Sequence, residues 1–223
     1  MNTIHRKSYT SLNKIYFLTA TIHKWLPLLE SKENKELIIN YLKKLSDENK
    51  IVVYGFVIMP NHVHIIWKQN DMNGKETPQG SFLKYTAHEF LKSLKLKREN
   101  HKYAVVVANK QHEIWQRDSL SIEIYSKEVA KQKLNYIHFN PVNGKWALAK
   151  DDLDYYYSSA RFYENGVNEF GFLKIFFKYL MGIKFVVSCA TNQGVGLLKS
   201  IHFLKSMFII LPMLLVKIKL RPT

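Results

Sequence analysis

The stretch VVYGFVIMPNHVHIIW, residues 52–67, decides how this chain folds. Val52 to Ile58 is an apolar run, which is typical of a strand buried on both faces of a sheet. Met59-Pro60-Asn61 interrupts the run, because proline and asparagine favour a tight turn. His62 to Trp67 then resumes the strand pattern, and two strands joined by so short a turn are expected to pair as an antiparallel hairpin.

The segments on either side of this hairpin complete a pattern of strands and helices. Tyr16 to Ile22 alternates like a strand, and Leu120 to Ile124 is the candidate fourth strand. Three helices are expected: from an Asn34 N-cap to about Asn49, through Phe82 to Leu94, and from a Ser126 N-cap to about Phe139, where Asn140-Pro141 ends it. The order strand, helix, strand, strand, helix, strand, helix predicts an α+β fold. It is a ferredoxin-like split βαβ unit with an antiparallel sheet and an added C-terminal helix that carries Tyr136.

The 223 residues carry a net charge of +15, with a pI near 9.7, and this charge is unevenly distributed. Residues 174–223 contain seven lysines, one arginine and no acidic residue, so their net charge is +8. Residues 1–173 therefore carry a net charge of +7. A basic surface attracts polyanions, which makes nucleic acid a candidate partner.

Cysteine content and hydropathy narrow the class of protein. Cys189 is the single cysteine, which excludes an intrachain disulfide framework and a cysteine-built zinc cluster, and a reducing cytoplasmic location is expected. The basic N-terminus leads into no apolar signal core, so no secretion signal is expected. The longest apolar run, Met207 to Val216, has ten residues and contains Pro212; it is too short for a bilayer, and no membrane partner is expected.

His62 and His64 are polar residues on an otherwise apolar strand. Because they are two residues apart, they point to the same face, with Cβ atoms roughly 6.5–7 Å apart. Two imidazoles at that separation can bind one divalent metal ion. The alternative is a pair of half-exposed strand histidines without a metal. The apolar flanks favour the metal site, because a polar side chain is costly there unless it has a role.

Tyr136 and Asn140 are four residues apart near the end of the last predicted helix, so they lie on one face. Core packing for the tyrosine and helix termination for the asparagine are the alternative explanations. A phenol can attack a phosphodiester if a nearby cation and in-line orientation offset its pKa of about 10. The amide oxygen of Asn140, one turn further on, could then complete the protein ligands of a metal.

The histidine and tyrosine segments resemble those of a known family. MPNHVHIIW, residues 59–67, resembles the HUH motif of single-tyrosine transposases, which is histidine, bulky apolar residue, histidine. KLNYIHFNPVNGKW, residues 133–146, resembles the tyrosine helix of the REP-associated tyrosine transposases, whose signature is Tyr-Ile-His-x-Asn-Pro-Val. Trp115-Gln116 and Tyr157-Ser158-Ser159-Ala160 also fit, and the resemblance covers about Tyr16 to Tyr163.

The resemblance implies a mechanism. His62, His64 and Asn140 would bind Mg²⁺ or Mn²⁺, and Tyr136 would attack single-stranded DNA, become linked to the 5′ phosphate and leave a free 3′ hydroxyl. A 3′ hydroxyl would later attack the phosphotyrosine and rejoin the DNA without ATP. Members of the family recognise imperfect hairpins near the element ends, so hairpin-bearing single-stranded DNA is the expected partner. The protein is expected to be a monomer or a homodimer.

Hairpin binding would need basic groups for phosphates and aromatic rings for unpaired bases. The candidates are Lys84, Lys92, Lys95, Arg98, Lys110 and Arg117, with Trp115 as the aromatic residue. His138, two residues from Tyr136, points elsewhere on the helix, and packing or a DNA-backbone contact is its expected role. Residues 1–172 are expected to form the transposase domain. Residues 173–223 form a basic apolar tail of unassigned role, with a composition compatible with non-native sequence.

Three other functions match part of this pattern. A replication initiator or relaxase also uses an HUH pair, but the tyrosine-helix signature argues against that class. A histidine-triad nucleotide hydrolase needs a histidine two residues after His64, where this chain has Ile66. A domesticated or inactive DNA-hairpin-binding protein of the same fold stays open, because it would keep the same residues.

Overall fold

The computed structural model describes residues 10–107, 110–117, 119–143 and 146–176. The strands within these ranges are β1 (Ile15–Thr21), β2 (Ile51–Ile58), β3 (His62–Gln69), β4 (Ala104–Val107), β5 (Lys110–His112) and β6 (Leu120–Glu123). The helices are α1 (Lys32–Asp47), α2 (Pro78–Leu96), α3 (Lys127–Phe139) and α4 (Ala160–Asn165), with 3₁₀ turns at His23–Trp25, Leu28–Glu30, Asn100–Tyr103 and Asn140–Val142.

In the described part of the chain, β2, β3, β1 and β6 form an antiparallel sheet in that order. This is the strand order of a split βαβ unit, so the predicted α+β fold is confirmed. β2 and β3 pair as the predicted hairpin, with Val57 opposite His64 and Ile58 opposite Val63. The Met59 N–H donates to the His62 carbonyl at 2.8 Å and closes the turn.

The N-cap of α1 differs from the prediction. Ser31, three residues before Asn34, is the cap, and its hydroxyl accepts from the Asn34 N–H at 3.2 Å. The chain leaves the Leu28–Glu30 turn in an extended conformation at Ser31, which is the backbone geometry of an N-cap. The Asn34 amide instead donates to the Leu28 carbonyl at 2.6 Å. Ser126 caps α3 as predicted, by accepting from the Val129 N–H at 3.3 Å.

Helices cover both faces of the sheet. α1 and α2 enclose one core, to which β3 contributes Val63, Ile65 and Trp67. α3 encloses a smaller core on the opposite face, where it meets Phe17 and Ile66. Because side chains alternate along a strand, His62 and His64 share the face of Ile66, which is the face toward α3.

Gly55 allows α3 to lie close against β2. A Cβ atom at this position would lie 2.8 Å from Leu134 Cδ1 and 3.1 Å from Ile137 Cδ1. The β2–β3 register also shifts between Val53 and Gly55, which bends the strand locally. Since Tyr136 precedes Ile137 on the helix, this contact sets how close Tyr136 comes to β3.

Ser159 attaches α3 to the outer edge of β2. Its N–H donates to the Phe56 carbonyl at 2.9 Å, and its hydroxyl accepts from the Phe56 N–H at 3.0 Å. His138 Nε2 lies 2.8 Å from the same hydroxyl, and His138 is buried. Two of the residues that carry the family resemblance, His138 and Ser159, are therefore structural in this fold.

The core extends past the predicted boundary at residue 172. Leu173 is buried and forms an isolated parallel β-bridge with Val53. The centroid of the Phe176 ring lies 5.0 Å from that of the Tyr54 ring. The rest of the predicted tail, residues 177–223, lies outside the described residues. Across the described ranges, none of the helices has both the length and the apolar character needed to cross a membrane.

Enlarging Gly55 is expected to push α3 off the sheet. Gly55→Leu should lower the free energy of unfolding by about 1–3 kcal/mol, because the added side chain meets Leu134 and Ile137 in a packed core. Gly55→Ala should cost less, because the Leu134 methyl can move. Urea denaturation of the parent and both variants measures the difference. Equal stability of the leucine variant and the parent would contradict the close packing described here.

Candidate active site

His62 and His64 lie side by side on β3, on the face toward α3. Their ring centroids are 4.7 Å apart, and both residues are buried. His62 Nδ1 lies 2.7 Å from Asn61 Oδ1, and His64 Nδ1 lies 2.9 Å from Thr19 Oγ1. Thr19 stands directly opposite His64 in the β1–β3 register. An imidazole that donates through Nδ1 keeps the lone pair of Nε2 for a metal ion.

His64 Nε2 is the atom of this site that best fits a metal ion. The atom is buried and makes no hydrogen bond within the described residues. Burial, together with the smaller effects of the charges of His62 and Lys133, lowers the pKa of His64 to about 3. The ring is therefore neutral at physiological pH, which is the form that binds metals.

Tyr136 projects from α3 beside this pair. Its ring centroid lies 5.2 Å from that of His64, with the rings edge to face, and 6.1 Å from that of Phe17. Tyr136 is 50% exposed, so its phenol is open to solvent and is not a core group.

Asn140 is the C-cap of α3, one turn after Tyr136, and it is buried. Beyond it, the Trp146 N–H donates to the Asn143 carbonyl at 2.8 Å, and the Trp146 ring lies 5.8 Å from the His62 ring. The chain thus runs from Tyr136 beside His64 to Trp146 beside His62, and Asn140 lies between these two contacts.

The donors present suit a divalent cation. Imidazole nitrogens and an amide oxygen are ligands that Mn²⁺ accepts, and a divalent ion held by them would supply Lewis-acid chemistry at a phosphate. The unpartnered His64 Nε2 is the observation that supports this fit. Among the described residues no cluster of three or more His, Cys, Asp or Glu side chains is arranged around a metal position. The third ligand that the family resemblance implies is Asn140.

Three residues that contact this site, Thr19, Asn61 and Lys133, were not among the predicted site residues. Lys133 Nζ lies 4.9 Å from the centre of the Phe17 ring, one helical turn before Tyr136. Helical spacing from Tyr136 could have identified Lys133, and Asn61 precedes His62 in the quoted turn. Thr19 was accessible only through the strand pairing.

A group of basic side chains lies along α2, away from the histidine pair. A groove of about 420 Å³ between α2 and the segment before β6 is lined by Lys84, Lys110 and Arg117. Lys110 Nζ and Arg117 Nε donate to Glu113 Oε2 at 2.9 and 3.2 Å. Burial opposes ionisation of Glu113, but the hydrogen bonds and charge of Lys110, with help from His23 and Arg117, lower its pKa overall. Glu113 therefore holds two of the predicted DNA-binding cations in one groove.

The other predicted DNA-binding residues are three cations outside this groove and Trp115, which lines the groove from the core. Lys92, Lys95 and Arg98 are exposed around the C-terminal end of α2 and do not line this groove. Trp115 is 6% exposed; its ring packs near Phe82 and Phe90, and its Nε1 donates to Thr86 Oγ1 at 2.9 Å. This corrects the expectation that Trp115 stacks on bases, because its ring belongs to the core.

The fold is similar to that of a solved REP-associated tyrosine transposase bound to a REP hairpin. The TM-score is 0.52, with 18% sequence identity over 76% of this chain and 90% of that chain. A Deinococcus radiodurans protein assigned as a transposase aligns with a TM-score of 0.37 and 15% identity over 59% of this chain and 95% of that chain, a score that does not establish a shared fold. No protein-family model and no curated protein sequence matches the chain. The chain therefore has the fold of the hairpin-bound transposase.

Acidification is expected to destabilise the metal-free protein through His64. The pKa is about 3 in the folded chain against an ordinary 6.5, so below pH 6.5 the unfolded state binds a proton that the folded state does not. The stability supplied by neutral His64 is present above pH 6.5 and is lost progressively down to about pH 3.

Urea denaturation in EDTA at about pH 7.5 and about pH 5 measures this effect. On acidification His64→Gln should lose about 2 kcal/mol less than the parent. His88→Gln, which changes an exposed histidine, should lose as much as the parent. An equal loss in the parent and His64→Gln would show that His64 is not held neutral.

Proposed function

We propose that this chain is a DNA transposase that cuts and rejoins single-stranded DNA through a covalent bond to Tyr136. The observation that carries the proposal is the half-exposed phenol of Tyr136, 5.2 Å ring to ring from a buried histidine whose Nε2 has no hydrogen-bond partner. A nucleophile that is open to substrate therefore lies beside a site suited to a cation. The solved protein with the same fold is a transposase bound to a hairpin, which supports the same class of reaction here.

Tyr136 carries out the cleavage step. Its hydroxyl oxygen forms a bond to the phosphorus, and the bond between phosphorus and the 3′ oxygen breaks. The phenolic proton passes to solvent, to which the half-exposed side chain has access, and the departing oxygen takes up a proton as a 3′ hydroxyl. Attack of a 3′ hydroxyl on the phosphotyrosine reverses these bonds and rejoins the DNA. The energy of the broken phosphodiester is kept in the covalent link.

His62, His64 and Asn140 would hold Mg²⁺ or Mn²⁺ in this proposal. A bound divalent ion would polarise the scissile phosphate and help to orient it. The chain's own contribution is to keep the His64 ring neutral by burial and to orient both rings through Asn61 and Thr19, which lie beside their Nδ1 atoms. Lys133 adds a positive charge on the same face of α3 as Tyr136, which favours the approach of a phosphate.

The DNA-binding surface would include the α2 groove. Lys84, Lys110 and Arg117 line it, and cations arranged along a groove neutralise successive phosphates of a nucleic-acid backbone. The backbone contacts would give affinity without sequence specificity. We propose a DNA hairpin as the element bound there, by analogy with the hairpin in the solved structure of this fold.

Replacement of the nucleophile should remove the covalent intermediate. A hairpin-bearing oligonucleotide from the flank of the gene's own locus, labelled at its 3′ end, should give a denaturant-resistant protein–DNA adduct with Mn²⁺. The same oligonucleotide labelled at its 5′ end should give only a shorter free product. Tyr136→Phe should abolish both signals, because only the attacking hydroxyl is lost.

Tyr125→Phe is the matched control, since Tyr125 is an exposed tyrosine immediately before α3. It should form the adduct as the parent does. Adduct formation by Tyr136→Phe at the parental rate would refute the assignment of the nucleophile. A parent protein that binds the hairpin but never forms an adduct would indicate a domesticated hairpin-binding protein.

Loss of a histidine ligand should separate metal binding from DNA binding. His64→Ala should weaken Mn²⁺ binding, measured by calorimetry, by at least about tenfold. Its affinity for the hairpin oligonucleotide in EDTA, measured by fluorescence anisotropy, should change by less than about twofold, because phosphate contacts supply that affinity. His88→Ala, which changes an exposed histidine away from the pair, should leave the Mn²⁺ affinity unchanged. Unchanged Mn²⁺ affinity in His64→Ala would remove the metal site from the proposal.

A further inference from the structure

Trp25 is a large aromatic side chain that the core does not use. It is 56% exposed, whereas Trp67 and Trp115 are buried in the core. Its ring lies edge-on to His62, with centroids 6.2 Å apart, and the His62 ring is in turn 4.7 Å from the His64 ring. An indole surface therefore stands at the rim of the proposed active site, one imidazole away from His64.

The backbone that presents Trp25 is in an unfavourable conformation. Lys24 has φ 52° and Trp25 has φ 58°, so two consecutive residues with full side chains adopt the left-handed region that favours glycine. Such conformations cost free energy and persist only where surrounding contacts enforce them. The turn gains no core burial in return, since both side chains are exposed.

Hydrogen bonds hold this turn against the active site. The Asn61 amide donates to the Trp25 carbonyl at 3.2 Å, and the Trp25 N–H donates to the Ile22 carbonyl at 2.9 Å. The other end of the Asn61 side chain, Oδ1, is the atom beside His62 Nδ1. One asparagine therefore orients a proposed metal ligand and fixes the position of the exposed tryptophan.

We propose that Trp25 is the stacking platform for an unpaired nucleobase next to the phosphate that Tyr136 attacks. The inference rests on the proposed function and adds to it a contact for the substrate. Unpaired bases offer an apolar face that a duplex hides, and a solvent-open indole matches that face without selecting among the four bases. The exposed Lys24 side chain adjoins it and supplies a positive charge for the neighbouring phosphate.

Stacking couples the tryptophan to one particular base, and binding measurements can detect this coupling without catalysis. The protein is the cleavage-inert Tyr136→Phe variant, and the probe is the hairpin-bearing oligonucleotide from the gene's own flank. An abasic site is placed in turn at each unpaired position around the cut. At one position the abasic site should weaken binding about tenfold, and Trp25→Ala should weaken binding of intact DNA by the same factor. Trp25→Ala should bind the abasic oligonucleotide no more weakly than it binds intact DNA.

Two further variants separate the effect of the Trp25 ring from the effect of its left-handed backbone conformation. Trp25→Phe keeps a stacking surface and should retain most of the coupling. Trp25→Gly relieves the left-handed strain and removes the ring, so it should lose the coupling while its stability stays equal to the parent's or rises. Tyr85→Ala is the control, because Tyr85 is an exposed aromatic stacked on Tyr41 at the α1–α2 face of the sheet. It should leave the coupling intact.

The inference is overturned if the two changes act independently, so that at every position the losses of binding free energy from Trp25→Ala and from the abasic site add. The adduct assay with intact Tyr136 distinguishes this from failure of the proposed function. Adduct formation without coupling would remove the stacking platform and keep the transposase. Coupling without an adduct would keep Trp25 as a base contact in a chain that binds DNA and does not cut it.

Discussion

The close contact of α3 with β2 over Gly55 is the constraint on which the rest of the site depends. Where another residue would place a Cβ atom 2.8 Å from Leu134, the glycine lets the helix settle against the sheet. Ile137 packs beside it, and Tyr136, the preceding residue, is carried to the edge of the His64 ring. Ser159 and His138 attach the same helix to the edge of β2. Both contacts are made by side chains of α3 and fix the position of the helix, so the position of the phenol follows from packing.

The two histidines show how a polar site can exist on an apolar face. A buried imidazole is costly unless its nitrogens have partners, and each Nδ1 has one, in Asn61 or Thr19. Burial then keeps His64 uncharged, and its Nε2 is left without a hydrogen-bond partner. The residual cost at that atom is the reason to expect an external partner. A cation binds such an atom readily, and the same environment would penalise a protonated ring.

Basic side chains lie in two separate places, one beside the histidine pair and one in the α2 groove. Lys133 lies within the site, close to Phe17 and on the side of α3 that carries Tyr136. Lys110 and Arg117 lie in the α2 groove, where they share the carboxylate of Glu113. Ion pairing reduces the net charge of the groove, but it also fixes the direction of two long side chains and so would lower the entropy lost in the proposed binding of a phosphate. A net charge alone would not distinguish these roles.

Local rules were enough for the four strands of the sheet, for the three predicted helices and for the candidate residues of the site. The apolar run, the proline turn and the histidine pair in residues 52–67 established the hairpin and put both imidazoles on one face, because strand alternation depends on adjacent residues only. The four-residue spacing of Tyr136 and Asn140 placed them on one side of α3 for the same kind of reason.

Tertiary packing decided which local candidates met. Thr19 joined the site through strand register, Trp115 entered the core, and Trp25 stayed exposed at the rim. These outcomes depend on contacts between residues far apart in the chain, and no local pattern encodes them. The sequence by itself thus determined which groups are candidates for the proposed reaction. Only the packing of α3 against the sheet decided that the phenol would lie beside the histidines, because that distance is set by the space left above Gly55.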